Sequence, residues 1–100
     1  MIVTRRIKIT QRARRDITGI RDYIAARDKQ AAERVRLRIV HAIDLLAEHP
    51  FIGRMSDEPG VRIKITPPYP YKIYYRVHED EVDILHVRHM ARDEPEPGEF

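Results

Sequence analysis

Residues 61–92, VRIKITPPYPYKIYYRVHEDEVDILHVRHMAR, limit the fold more than any other stretch. Val61, Ile63 and Ile65 alternate with Arg62 and Lys64, the period of two expected of a half-buried strand. Tyr71, Ile73, Tyr75 and Val77 repeat the pattern opposite Lys72, Tyr74 and Arg76. Between Glu81 and His89, Val82 and Ile84 share one face and Leu85 and Val87 the other, which predicts a central strand covered on both sides. His78-Glu79-Asp80 is short and polar, so the last two runs form an antiparallel hairpin. Pro67, Pro68 and Pro70 cannot donate to a ladder and fall in the connection between the first two runs. The expectation is a three-stranded meander with its cations along one surface.

Upstream, Val3 to Thr10 alternates like a further strand, and Thr10 stands where a helix N-cap is needed. Ala13 occupies the third helical position, so no capping box forms. From Gln11 to about Arg27, Ala13, Ile17, Ile20 and Ile24 make one helical stripe, interrupted by Gly19 at a cost of roughly 1 kcal/mol. After the connector Asp28-Lys29-Gln30, a second helix runs to Glu48 with Ala32, Val35, Ile39, Ile43 and Leu46 on its stripe, and Pro50 ends it. So short a connector makes an antiparallel helical hairpin, which hides its stripes by packing on one face of the sheet. The predicted fold class is α+β: strand, helical hairpin, three-stranded antiparallel meander. Residues 50–60 read as a loop with Phe51 and Ile52 tucked back. One domain is expected over 1–92, with 93–100, DEPEPGEF, as an acidic flexible tail.

Net charge is +3, but the last eight residues carry four acids and no Lys or Arg, which leaves residues 1–92 at +7. A body this basic favours an anionic partner, either nucleic acid or an acidic protein. No apolar run approaches the ~20 residues that span a bilayer, so no membrane partner is expected, and a cytoplasmic location fits. The absence of cysteine excludes disulfides, thiolate metal sites and a cysteine nucleophile. His41, His49, His78, His86 and His89 match no ligand spacing, so neither metal nor cofactor is expected. Arg62, Lys64, Lys72, Tyr74, Arg76, His89 and Arg92 form the polar set of interest. Such a set suits a phosphate backbone or stacked bases, and equally a solvated sheet face whose charges guard the edges.

The order strand–helix–helix–three strands resembles the RelE/ParE toxin superfamily of type II toxin–antitoxin systems over residues 3–92. Ala13, Asp16, Ile17, Ile20, Tyr23 and Ile24 carry the likeness in the first helix, and Ile43, Leu46, Pro50 and Gly53 at the end of the second. Arg62, the run Tyr71 to Val77, the run Val82 to His89 and Arg92 carry it in the meander. The resemblance implies one of two activities. RelE-like members cut messenger RNA in the ribosomal A site, often with a C-terminal tyrosine or histidine, whereas ParE-like members poison DNA gyrase. Both are neutralised by a small antitoxin.

His89 and Arg92 closing the last strand, with Met90 where an aromatic often stands beside that histidine, are similar to the ParE-like branch. On that resemblance the chain needs no catalytic residue of its own, and Arg62, Tyr75, His89 and Arg92 are the candidates for inhibiting the target. Tyr23, Arg34, Arg38 and Phe51 are the candidates for contacting a ParD-like antitoxin, with operator DNA met only through that antitoxin. The enzyme alternative, a ribosome-dependent endonuclease, would use Arg62, Arg76, His89 and Arg92.

Overall fold

The computed structural model describes residues 4–92 and 94–100. In chain order it contains β1 (Arg6–Ile9), α1 (Gln11–Ala25), α2 (Lys29–Leu45), β2 (Arg54–Met55), β3 (Val61–Thr66), β4 (Tyr69–Val77), β5 (Glu81–His89) and a 3₁₀ turn (Pro97–Glu99). The strands form one five-stranded sheet in the order β1-β5-β4-β3-β2. The meander is therefore extended on both sides. β1 joins parallel to β5, and β2, a two-residue strand inside the expected 50–60 loop, pairs with β3. Val3 of the predicted first strand lies outside the described residues.

Local chemistry starts each helix. Thr10 Oγ1 accepts from the Ala13 N–H at 3.2 Å and donates to the Ile84 carbonyl at 2.7 Å, so one hydroxyl caps α1 and ends β1. Asp28, expected in the connector, caps α2 by accepting from the Ala31 N–H at 3.0 Å. Ala32, Val35, Ile39, Ile43 and Leu46 are all buried, as the stripe of α2 requires. On α1 only Ala13 is fully buried, while Ile17, Ile20 and Ile24 pack on the core with part of their surface open. No helix among the described residues is long and apolar enough to cross a membrane.

The register corrects the predicted faces. Directly opposed residues of an antiparallel pair share a face. Ile63 opposes Tyr74, Arg62 opposes Tyr75 and Lys64 opposes Ile73. The apolar side of β3 thus belongs with Tyr74 on the face away from the helices, where Val61, Ile63 and Tyr74 form a second buried cluster. Arg62 and Lys64 lie on the helix side, while Lys72, Tyr74 and Arg76 lie on the far side. The single cationic surface expected from the sequence does not exist.

A second correction concerns β5. Tyr74 opposes His86 and Tyr75 opposes Ile84, so Leu85 is an extra residue in β5, a β-bulge. The bulge resets the alternation, and Val87 joins Val82 and Ile84 in the helix-side core instead of facing away from them. Nor is the acidic end loose in this structure, because residues 94–100 lie against the far face.

Loop 50–53 is held from beneath by Tyr75. Its hydroxyl, fully buried, accepts from the Gly53 N–H at 2.9 Å. A Cβ on residue 53 would stand 2.5 Å from that oxygen and 2.7 Å from the Ile63 carbonyl oxygen, so the close approach requires glycine. Tyr75→Phe, which leaves the Gly53 amide unsatisfied, is expected to cost about 1–2 kcal/mol in urea denaturation. Gly53→Ala, which forces the loop outward, should cost about 1–3 kcal/mol.

Candidate functional site

Where α1 crosses the end of β5, a cleft of about 600 Å³ opens between them. Arg15, Gly19 and Tyr23 reach it from α1 at successive helical turns, and Tyr71, His89 and Arg92 from the sheet end. Arg15 and Tyr71 were not singled out from the sequence, although the i, i+4, i+8 spacing of Arg15, Gly19 and Tyr23 was a signal for a shared face. Tyr23 is 77% exposed, an unusual position for a large ring. The His89 ring meets Tyr71 edge-on, with centroids 5.6 Å apart. Burial, and then the neighbouring Tyr23, push the Tyr71 phenol above its ordinary pKa, so it stays a neutral donor.

His89 is oriented by its own turn. Its Nδ1 accepts from the Ala91 N–H at 3.0 Å, so the neutral ring that keeps this bond carries its proton on Nε2 and presents a donor. A general base would need Nε2 as the acceptor. The cleft therefore offers guanidinium, imidazole and phenol donors beside apolar α1 surface, an arrangement suited to binding an anionic or carbonyl-rich partner.

The other predicted target residues sit elsewhere. Arg62 donates through Nη1 to the Gly53 carbonyl at 2.9 Å and lies 5.1 Å from the centre of the Phe51 ring. Arg5 approaches the same ring at 5.5 Å. Tyr75 is fully buried beneath that loop. Arg62 and Tyr75 thus work inside the fold, holding residues 51–53. Arg76 lies on the far face opposite Asp83, whereas His89 is on the helix side opposite Tyr71. Five residues of strand, about 17 Å at ~3.3 Å each, separate their positions along β4. The set Arg62, Arg76, His89 and Arg92 is not brought together.

A second groove, of about 630 Å³, runs along the outside of α2 between Arg34, Leu37, Arg38, His41, Pro68 and Tyr69. Arg38 Nε donates to the Pro67 carbonyl at 2.9 Å. Arg34 and Arg38 are therefore neighbours, as their spacing of four requires. Tyr23 belongs to the first cleft, and Phe51, 58% exposed, stands beyond the opposite end of α2. The candidate antitoxin contacts do not form one patch; they mark points along the length of the hairpin. No group of three His, Asp or Glu side chains among the described residues is placed to hold a metal ion.

The model of the ParE toxin of type II toxin–antitoxin systems, parDE, matches residues 7–94. This chain therefore belongs to the ParE toxin family, within the RelE/ParE superfamily of toxin–antitoxin toxins. Toxin RelE2 of Caulobacter vibrioides is 41% identical over 83 residues, covering 83% of this chain and 92% of that protein. A solved structure of the chromosomal ParDE system from P. aeruginosa is similar in fold, with a TM-score of 0.78 at 27% identity, over 86% of this chain and 96% of that one. The RelBE2 toxin–antitoxin complex from Mycobacterium tuberculosis shares the fold, with a TM-score of 0.65 at 22% identity over 92% and 98% of the two chains.

A methyl group on Gly19 would meet nothing within 4 Å, so close packing does not explain the glycine. Gly19→Ala should raise stability by roughly 0.5–1 kcal/mol, measured by urea denaturation, while placing a methyl in the cleft wall.

Proposed function

We propose that this toxin acts by contact, binding DNA gyrase and stabilising its cleaved-DNA state, and that a ParD-like antitoxin holds it inactive. The observation that carries this reading is the dispersal of the acid–base candidates. Of the four nuclease candidates only His89 and Arg92 share the cleft: Arg62 is tied to residues 51–53, Arg76 lies on the far face, and His89 spends Nδ1 on its own turn. A surface inhibitor needs no such convergence. It needs an accessible, chemically mixed patch, and the cleft around Tyr23, His89 and Arg92 is one.

The antitoxin is expected to lay an amphipathic segment along the hairpin, where α1 leaves Ile17, Ile20 and Ile24 partly open and α2 presents Arg34 and Arg38 beside exposed Leu37. Those arginines suit an acidic segment, and operator DNA is reached only through the antitoxin. Action on gyrase places the protein in the cytoplasm. A ribosome-dependent endonuclease is the rival reading, favoured by the name of the 41%-identical relative, RelE2.

Expression of the toxin without its antitoxin separates the two. Induction of the DNA-damage response with intact transcripts is expected, weakened tenfold or more by His89→Ala combined with Arg92→Ala. Cuts at ribosomal A-site codons without DNA damage would overturn the proposal, as would unaltered growth.

A further inference from the structure

The far face of the sheet carries polar groups that a solvated face would not hide. The side chains of Lys72 and Arg88 are only 8% and 10% exposed, and Tyr74 and His86 are buried among them. What covers them is residues 94–100. Glu94 accepts from Lys72 Nζ at 3.2 Å and from the Tyr74 hydroxyl at 2.7 Å. Glu99 accepts from Arg88 Nη2 at 3.2 Å, and its carbonyl oxygen lies 2.8 Å from His86 Nε2. The Phe100 ring then closes over the site, 5.5 Å from the His86 ring and 5.9 Å from Tyr74. Two cations thus meet two carboxylates, and an aromatic recess on Val61, Ile63 and Tyr74 meets one ring.

Each contact is specific to chemistry rather than to this particular tail. Lys72 and Arg88 read carboxylates, Tyr74 and His86 supply donors to oxygen, and the recess takes an aromatic ring. The tail is shaped for the site by Pro97 and by the Glu96 N–H, which donates to Glu99 Oε2 at 2.6 Å. Few residues separate the end of β5 at His89 from Glu94, so the tail's effective concentration at the site is on the order of millimolar. A free peptide of the same chemistry cannot compete well. A partner already held elsewhere on the toxin has a comparable local concentration and can.

We propose that this face is a receptor site for an acidic peptide segment bearing an aromatic residue, that residues 94–100 are its occupant within the same chain, and that such a segment of a bound partner exchanges with them. The proposal does not depend on which target the toxin has.

The test uses the full chain and a synthetic peptide of residues 94–100, EPEPGEF, labelled at its N-terminus for fluorescence anisotropy. In the wild-type protein, residues 94–100 should give backbone ¹⁵N relaxation like that of β4 and β5, unchanged on dilution. The variant Glu94→Gln, Glu99→Gln, Phe100→Ala should bind the peptide at least tenfold more tightly than wild type does, and adding Lys72→Met and Arg88→Met should abolish binding. Wild-type tail relaxation like that of a free chain overturns the proposal, with or without a folded variant. So do a dilution-dependent tail, which assigns the site to a second copy, and equal peptide affinity for folded variant and wild type.

Discussion

The Val87 amide donates to Asp16 Oδ2 at 3.0 Å, and the arrangement of the sheet end depends on that bond. β1 accompanies β5 only from Arg6–Glu81 to Ile9–Ile84, so beyond Ile84 no strand among the described residues lies beside the outer edge of β5. An exposed edge amide would need water or a new partner. Thr10 turns the chain there into α1, whose second turn brings the Asp16 carboxylate to the open edge. Arg12 holds the other carboxylate oxygen at 3.0 Å. A helix thus takes over where a strand stops, and the side chain of Asp16 replaces the missing ladder acceptor.

The cleft follows from that handover. α1 is tied to β5 near its start, and its later turns keep Ile20 and Ile24 packed on the core beside the end of β5. Gly19, Ile20 and Tyr23 line the cleft together with Tyr71 and His89. The Leu85 bulge contributes from the other side by turning Val87 inward beneath α1. Apolar packing supplies the cohesion of the fold, through the stripe of α2 against Tyr71, Ile73 and Tyr75. It is the polar junction that places the surface through which contact with a target is proposed.

Much of this was legible in the sequence, because periodicity reports which residues alternate. The α2 stripe, the Thr10 cap, the helical hairpin and the β4 alternation all follow from spacing alone. Periodicity does not report which faces of two strands coincide. That depends on register, and for β3 the opposition of Ile63 to Tyr74 reversed the assignment of Arg62 and Lys64. A bulge is equally silent, since Leu85 looks like any apolar strand residue. The candidate site suffered for the same reason. Arg62 and Tyr75 look functional by type, yet their partners, Gly53 and Phe51, are set by folding. The tail reads as unstructured from composition because its contacts are with strand residues 11 or more positions earlier, which composition does not record. His89 and Arg92, three residues apart and candidates only through the family resemblance, both line one cleft, while Arg62 and Tyr75 do not.

Amide hydrogen exchange at Val87 tests the junction most directly, compared between the wild-type protein and Asp16→Ala. In the wild type, Val87 should be protected as strongly as the central amides of β4, although no strand among the described residues lies on its outer side. In Asp16→Ala that protection should fall at Val87 and along the first turns of α1, with a loss of about 2–3 kcal/mol in stability from the abandoned amide and its charged acceptor. A wild-type Val87 that exchanges as fast as a loop amide, or protection that survives the substitution unchanged, would contradict the anchoring of α1 on β5.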